Sequence, residues 1–332
     1  MKTRMAAALV LVAAGAACSG NHSALNPSGP QARTIANLTW GFFAISGIVY
    51  AIVMAVLASV LLRRRRTGTP AAGADRRIVV AVGSGVAVTA AIVVGLAVAS
   101  VAAGRGLEAP SNREPLSVDV IGHQWWWEFQ YPNEQHPDQI VNSPNELHVP
   151  VGTRVRIRAM SRDVIHSFWV PNLRGKRDLI PGVTSESWMQ ADRAGDYHGQ
   201  CAEFCGNQHA HMAFTVVAEP ADAFERWLAG QRAPAADPPD ELTRHGHDVF
   251  VGGPCVMCHT IRGTKAGSKV GPELTHVASR AFIAAGTVPN TPEDLARWIL
   301  DPETFKPGTQ MPPNALSDDD LRAVVAYLRT LK

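Results

Sequence analysis

One short stretch of this 332-residue chain decides its fold and chemistry, and it reads Gly199-Gln-Cys-Ala-Glu-Phe-Cys-Gly-Asn-Gln-His-Ala-His-Met212. Four of its side chains can bind soft or borderline metals: Cys201, Cys205, His209 and Met212. Thiolate, imidazole and thioether donors together are typical of copper electron-transfer sites. Because the two cysteines are spaced four residues apart, both sulfurs can face one side of a tight loop and bridge two copper ions.

Two other uses of these cysteines remain open from the residues alone. Two nearby cysteines form a disulfide readily in an oxidising compartment, and two Cys with two His can hold structural zinc. A second histidine ligand is available upstream, in the segment Val164-Ile-His-Ser-Phe-Trp-Val-Pro171, at His166.

With His166 included, the pattern resembles the dinuclear copper (CuA) domain of cytochrome c oxidase subunit II. The resemblance implies a copper pair bridged by Cys201 and Cys205. The resemblance also implies that His166 and His209 bind one copper each. The other implied ligands are Met212 and the backbone carbonyl of Glu203. Every ligand position of the family holds the expected residue type, which favours copper over a disulfide or zinc.

Length and composition predict a chain of two or three units. The chain has 46% hydrophobic residues and a net charge of +2, and this charge says little about partners because the basic excess lies largely in one short loop. Five cysteines are few for a disulfide scaffold. They are distributed over three separate contexts, as Cys18, then Cys201 and Cys205, then Cys255 and Cys258.

Residues 1–17 have the pattern of a secretory signal, with Lys2 and Arg4 ahead of an apolar run and small residues before Cys18. Export is therefore predicted. Cys18 follows Gly15-Ala-Ala17, so a lipid anchor, an ordinary peptidase site and an uncleaved start all stay open.

Residues 35–62 and 78–103 contain no charged residue, and each run exceeds the roughly 20 residues that span a bilayer as a helix. We expect two transmembrane helices, since soluble helices of this length carry charges on an exposed face. The loop between the two runs has six arginines, at 63–66, 76 and 77, and a single acidic residue, Asp75. This excess of positive charge puts the loop in the cytoplasm of a bacterial cell and both termini outside the inner membrane. The arginine run is thus explained by topology, and no nucleic-acid partner is expected.

Residues 112–230 are predicted to form an antiparallel β-sandwich or barrel. Residues 116–131 have strand character, residues 154–159 alternate charged and apolar side chains, and turn signals such as Pro181-Gly182 follow. The resemblance makes this fold cupredoxin-like.

Three consecutive tryptophans at 125–127 cannot all face one core of a strand, and we favour an interface or membrane-surface position for Trp126. The resemblance implies that Trp125 lies at the surface where electrons reach CuA. It also implies that the Glu203 side chain helps bind a magnesium ion shared with the catalytic subunit, the alternative being a solvated carboxylate.

Residues 231–240 are rich in Pro and Ala and predict a semi-rigid linker with little packing across it. Residues 241–332 then contain Cys255-Val-Met-Cys-His259, the c-type haem attachment motif, in which two thiols add to the haem vinyl groups and the imidazole binds iron. This segment resembles an all-α class I cytochrome c domain. The resemblance implies that its first and last helices cross at Gly246.

The loop Gly271-Pro-Glu-Leu274 resembles the family loop whose proline carbonyl, here that of Pro272, accepts a hydrogen bond from the iron-binding histidine. Met311 is the implied sixth iron ligand, with His276 as its competitor. Met257 lies between the attachment cysteines and is not expected to reach the iron. The other histidines are expected to be surface or structural residues: His123, His136, His148, His198, His211, His245 and His247.

From Asn37 to Lys332 the chain thus resembles subunit II of a haem-copper oxidase with a fused cytochrome c domain, a multidomain membrane protein. The resemblance implies that it takes electrons from external cytochrome c or another reductant and passes them through haem c and CuA to catalytic subunit I, within a complex of several subunits that reduces oxygen and pumps protons. A membrane-anchored copper-delivery or metal-storage module is the alternative from another class. A nitrous oxide reductase would need a large catalytic domain that is absent from this sequence, and a quinol-oxidase subunit would lack the copper ligands.

Overall fold

The structure is a computed structural model that describes residues 20, 22–62, 74–105, 107, 116–133 and 139–332. The predicted signal segment, Cys18, the arginine run 63–66 and His136 lie outside the described residues. The chain divides into a unit of residues 33–108 and a unit formed by the residues on either side.

The unit of residues 33–108 contains two long apolar helices, α1 (Pro30–Leu62) and α2 (Ala74–Arg105). Each is long and apolar enough to cross a membrane, with a mean hydropathy of 2.5 over its best window and none of that window buried. Such extensive exposed apolar surface is unfavourable in water. The predicted pair of apolar helices is confirmed, and α1 begins a turn earlier than expected, at Pro30, because proline is favoured at the first position of a helix.

The other unit begins with a β-sandwich of ten strands. The strands are β1 (Leu116–His123), β2 (Trp126–Tyr131), β3 (Val141–Pro144), β4 (Glu146–Pro150), β5 (Val155–Ser161), β6 (His166–Trp169), β7 (Arg177–Leu179), β8 (Ser185–Met189), β9 (Gly195–Cys201) and β10 (Ala213–Glu219). They form two five-stranded sheets, in the orders β3-β2-β1-β5-β8 and β4-β10-β9-β6-β7. The predicted sandwich is confirmed.

The expectation of purely antiparallel pairing is wrong. Strand β1 runs parallel to β5, and β10 runs parallel to β4. The alternation of charged and apolar residues reports which face of a strand is buried, and it carries no information about the direction of the neighbouring strand. Crossover connections between the sheets set that direction.

Aromatic side chains fill the sandwich beneath the stretch that carries the predicted copper ligands. Trp127 is fully buried and lies 5.2 Å from Phe214 and 6.0 Å from Phe168 between ring centroids. Its indole Nε1 donates a hydrogen bond to the carbonyl of Met212 at 3.2 Å. The core therefore supports the ligand loop directly.

The remaining elements are mainly helical. They are α3 (Ala221–Gln231), α4 (Glu241–Gly252), β11 (Phe282–Ile283), β12 (Val288–Pro289), α5 (Pro292–Leu300), α6 (Pro302–Phe305) and α7 (Asp318–Leu328). Helices α4 and α7 cross at Gly246, where a Cβ would overlap the carbonyl of Ala323. The crossing implied by the sequence is confirmed, because only a glycine lets the two backbones approach this closely.

The expectation of little packing across residues 231–240 is wrong. Arg262 donates hydrogen bonds to the carbonyls of Gln231 at 2.5 Å and Arg232 at 3.2 Å. Its Nε also binds Glu273 at 2.7 Å, and Glu273 accepts a hydrogen bond from Asn142 of the sandwich at 3.3 Å. The composition of residues 231–240 predicts their stiffness. It does not predict their contacts, because their backbone carbonyls can accept hydrogen bonds from an arginine that is distant in sequence.

Candidate copper site, haem cavity and relatives

The predicted copper ligands come from the ends of three strands. Strands β6 and β9 pair through Phe168 and Cys201, which brings His166, at the start of β6, next to the loop between β9 and β10. A Cβ at position 122 would lie 2.7 Å from the ring of His166, so Gly122 leaves the space that this imidazole occupies.

The two cysteines and two histidines face one another. The sulfurs of Cys201 and Cys205 are 3.8 Å apart, well beyond the ~2.05 Å of a disulfide bond. Nδ1 of His166 lies 3.9 Å from the sulfur of Cys201, and Nδ1 of His209 lies 3.7 Å from the sulfur of Cys205. The arrangement is that of two thiols with one imidazole beside each.

The two remaining predicted ligands lie at the same place. The Met212 sulfur is 3.9 Å from the Cys205 sulfur, and the Glu203 carbonyl is 3.2 Å from the Cys201 sulfur. Three sulfurs, two imidazoles and one carbonyl surround one space, a donor set soft enough to fit copper.

The two thiols titrate as a pair. The contact with Cys205 lowers the pKa of Cys201 well below that of an ordinary thiol, and His166 adds to this effect. The same contact, together with burial, raises the pKa of Cys205. The lowered pKa of Cys201 favours its thiolate, the form that binds a soft cation.

Sequence reasoning missed two residues that hold this site. Asp163 Oδ1 lies 2.8 Å from Nε2 of His166 and orients the ring, leaving Nδ1 toward Cys201. A carboxylate three residues before a ligand histidine is a signal that could have found it. Gln124 donates to the Cys205 carbonyl at 2.8 Å, and no local signal marks this contact, which spans 81 positions of sequence.

The three tryptophans have different environments. Trp127 belongs to the core, whereas Trp125 and Trp126 are half-buried. Nε1 of Trp125 donates to the Cys205 carbonyl at 2.9 Å, and Trp126 stacks on His123 with a centroid distance of 4.2 Å. Both half-buried tryptophans line the cavity described below. The interface expected for Trp126 therefore includes a contact region within this chain.

The predicted haem attachment residues lie on a short 3₁₀ turn, Pro254–Met257, and just after it. The backbone N–H of His259 donates to the carbonyl of Cys255 at 3.0 Å. Nδ1 of His259 donates to the carbonyl of Pro272 at 2.7 Å, which leaves Nε2 available to iron. Burial lowers the pKa of His259, so the ring is held neutral, the form that binds metal.

These residues line a cavity with largely apolar walls. Cys255, Cys258, His259, Pro272 and Met311 all contribute to its lining. The apolar walls include Phe250, Leu274, Leu295, Ile299, Val324 and Leu328. Such a cavity, with free cysteines and a neutral imidazole on one turn, fits a covalently attached haem.

The two alternative iron ligands lie elsewhere. His276 is buried, with Nδ1 2.7 Å from the Lys332 carbonyl and Nε2 3.1 Å from the Ala233 carbonyl. Met257 is 72% exposed. Neither lines the cavity, which favours Met311 as the sixth ligand.

The cavity extends to the sandwich. Gln124, Trp125, Trp126 and Asn145 contribute to its wall, and two cations, the half-buried Arg280 and the buried Lys306, also line it. Sequence reasoning did not find either cation, because nothing in the local pattern distinguishes a buried arginine or lysine from the exposed ones.

Comparison with known proteins agrees with both halves of this arrangement. Residues 134–219 match the family of the cytochrome c oxidase subunit II periplasmic domain, and residues 244–332 match the cytochrome c family.

Individual relatives extend the match to the whole chain. Cytochrome c oxidase subunit 2 of Alkalihalophilus pseudofirmus is 34% identical over 98% of this chain and 95% of that protein. The subunit 2 of Bacillus sp. (strain PS3) is 31% identical over 67% of this chain and 64% of that protein. The periplasmic domain of subunit II of cytochrome oxidase of Bradyrhizobium japonicum is a solved structure with 28% identity and a TM-score of 0.35, covering 38% of this chain and 97% of that one. This membrane-anchored chain therefore belongs to the cytochrome c oxidase subunit II family and carries a cytochrome c domain fused after the periplasmic domain.

Proposed function

We propose that this chain takes single electrons from reduced cytochrome c, or from another external reductant, and passes them to catalytic subunit I of a haem-copper oxidase that reduces oxygen to water and pumps protons. When bound, haem c and the copper pair supply one-electron carriers at the two sites. One observation carries the proposal: the haem cavity and the copper loop meet at Trp125.

Trp125 links the two sites by direct contact. Its ring lines the haem cavity, and its Nε1 donates to the carbonyl of Cys205 at 2.9 Å. A single side chain and one hydrogen bond therefore connect the cavity to a copper ligand. Residues 112–230 and 241–332 are accordingly proposed as two redox domains whose sites communicate within one chain.

Ligand burial supports electron transfer over copper delivery or storage. Cys201, Cys205 and Met212 are 2%, 3% and 0% exposed. A delivery module must exchange its metal with a partner, which requires ligands that the partner can reach, whereas an electron carrier retains its metal. The copper-delivery alternative is therefore less well supported.

Exposed apolar side chains flank the copper ligands and support docking on subunit I. They lie on the loops next to His166, Leu179 and Cys205 and are Val164, Ile165, Ile180, Val183 and Phe204, the last being 76% exposed. Apolar groups that remain in water mark protein interfaces. We propose that subunit I and its neighbours cover them.

Glu203 fits a magnesium site that is shared with subunit I. Its carboxylate is 44% exposed and binds Lys176 Nζ at 3.2 Å. Carboxylate oxygens suit magnesium, and the remaining ligands are proposed to come from subunit I. On assembly, the Glu203 carboxylate would therefore give up its contact with Lys176 and bind the magnesium ion instead.

The proposed membrane arrangement has α1 and α2 spanning the bacterial inner membrane. Arg76 and Arg77 precede the apolar part of α2 and are proposed to lie on the cytoplasmic side, with both redox domains outside. A lipid anchor at Cys18 is compatible with this topology.

Rapid mixing of the oxidised oxidase with reduced cytochrome c tests the route. Haem reduction should precede or match copper reduction, at an internal rate independent of donor concentration, because both sites belong to one chain and the haem cavity reaches Trp125. Trp125→Ala should slow the internal electron transfer and leave haem reduction and both metal contents intact. Trp125→Phe should give an internal rate between those of Trp125→Ala and the natural chain.

Deletion of residues 241–332 provides the opposing test. Loss of copper reduction by the same donor is expected, since the haem domain is proposed as the first acceptor. If copper reduction continued at full speed, an external donor would dock near Trp125 directly and the proposed order would fail.

A further inference from the structure

Three consecutive residues of the haem domain contact the copper domain. Nζ of Lys306 donates to the carbonyl of Trp125 at 3.1 Å, and the carbonyl of Pro307 accepts a hydrogen bond from Nε2 of Gln208. Gly308 packs on the side chain of Asn207, since a Cβ at position 308 would lie 3.0 Å from Nδ2 of that residue. We call residues 306–308 the clasp.

The clasp lies between two functional segments. On its own domain it is followed at once by Thr309, Gln310 and Met311, which line the haem cavity. On the copper domain its partners are Trp125, at the cavity wall, and Asn207 and Gln208, which precede the predicted ligand His209. The clasp therefore joins the loop of the sixth haem ligand to the loop of the copper ligands.

Lys306 is an unusual choice of residue for packing alone. It is only 3% exposed. Its hydrogen-bond acceptor is the backbone carbonyl of Trp125. An ammonium group held away from water needs its acceptor at one place, so the contact provides specificity of position.

Building on the electron route proposed above, we infer that Lys306 is a positioning residue for transfer between the two sites. Its hydrogen bond to the Trp125 carbonyl, with the contacts of Pro307 and Gly308, holds the haem domain in one register on the copper domain. This contact adds to other hydrogen bonds between the two domains, such as the one from the Ala213 N–H to the Ala285 carbonyl at 3.0 Å, and it joins the haem-cavity loop to Trp125.

The test compares Lys306→Met with Lys269→Met in the assembled oxidase. Methionine keeps the length of the side chain and removes the ammonium group, and Lys269 is an exposed lysine of the same domain. Lys306→Met should lower the internal haem-to-copper rate roughly tenfold or more, as expected for loss of alignment, and should make this rate sensitive to solvent viscosity. Amide hydrogen exchange should increase in the clasp and around Trp125. Copper content should stay unchanged, a rate loss that only followed a loss of haem would overturn the proposal, and Lys269→Met should match the natural chain in every measurement.

Gln208→Met removes a clasp contact from the copper-domain side. It provides a second test in case Lys306→Met fails to fold. The side-chain oxygen of Gln208 is buried without a partner, so methionine removes an unsatisfied acceptor along with the bond to Pro307. Increased exchange in the clasp with intact metal content would support the proposal. Unchanged exchange and an unchanged internal rate in both variants would overturn it.

Failure of the proposed electron route is a separate outcome. If the natural chain showed no electron transfer between haem and copper, that route would be wrong. The hydrogen-exchange comparison would still decide whether the clasp holds the domains together.

Discussion

The sulfur atoms of Cys201, Cys205 and Met212 lie in one buried cluster, with neighbouring sulfurs 3.8 and 3.9 Å apart. Their proposed roles differ because a bridging thiolate binds both coppers, whereas a thioether contributes one weak bond to one of them. Spacing along the chain was enough to predict that the ligands of the 199–212 loop lie together. The contact between Asp163 and His166 was missed, although a carboxylate three residues before a ligand histidine could have suggested it.

Loss of either bridging cysteine should abolish the mixed-valence state of the copper pair. Cys201→Ser and Cys205→Ser should lose its absorption bands, because a hydroxyl is a poor bridge for copper. Met212→Leu should retain two coppers and shift the bands, since only one weak ligand is removed. Copper content and absorption spectra measure both effects. Two coppers with an unaltered spectrum in either serine variant would contradict the bridging assignment.

Helices α4 and α7 form the contact on which the haem domain is built. Their backbones approach at Gly246, beside Ala323 and Tyr327. On the proximal side of the cavity, the loop of Pro272 restrains His259 through its carbonyl. Two contacts thus position the proposed haem ligands. One is the close approach of the two helix backbones at Gly246, and the other is the hydrogen bond from His259 to the Pro272 carbonyl.

Gly246→Ala should destabilise the haem domain by about 3 kcal/mol or more, because the new methyl group overlaps a carbonyl that belongs to a packed helix. Gly252→Ala, at the end of the same helix, is the matched control, since no atom lies within 4 Å of a Cβ there. Its effect should stay within about 0.5 kcal/mol. Denaturant unfolding followed by haem absorbance measures both variants. Equal stability of the two would show that the helices do not depend on this crossing.

At the scale of the whole molecule, the segment joining the two redox domains is held by Arg262. The arginine binds the carbonyls of Gln231 and Arg232 as well as Glu273, which is 8% exposed. The backbone N–H of Ala235 returns a bond to the carbonyl of Arg262 at 2.9 Å. The two domains are therefore fixed to each other through their linker in addition to the clasp.

Arg262→Ala should release the linker. Its carbonyls lose their donors and Glu273 loses its ion-pair partner, which is costly for a buried carboxylate. Limited proteolysis of the full chain should cut residues 231–240 severalfold faster, with haem and copper contents retained. Arg322→Ala is the control, because that arginine is exposed and pairs with Asp319, one turn away. Identical cleavage of both variants would show that the linker is not held by Arg262.

The sequence by itself determined the two apolar helices, the sandwich and the two groups of proposed metal ligands. Each of these depends on local information: uncharged runs, alternation along a strand, or donors close together in one loop. Parallel pairing of β1 with β5 did not follow from such patterns, because strand direction is set by crossovers. The contact between Lys306 and Trp125 joins positions 181 residues apart, and Arg262 reaches the linker from 30 and 31 residues away. Only the tertiary structure decided these contacts, since which side chains meet across two packed domains depends on the shape of both surfaces together.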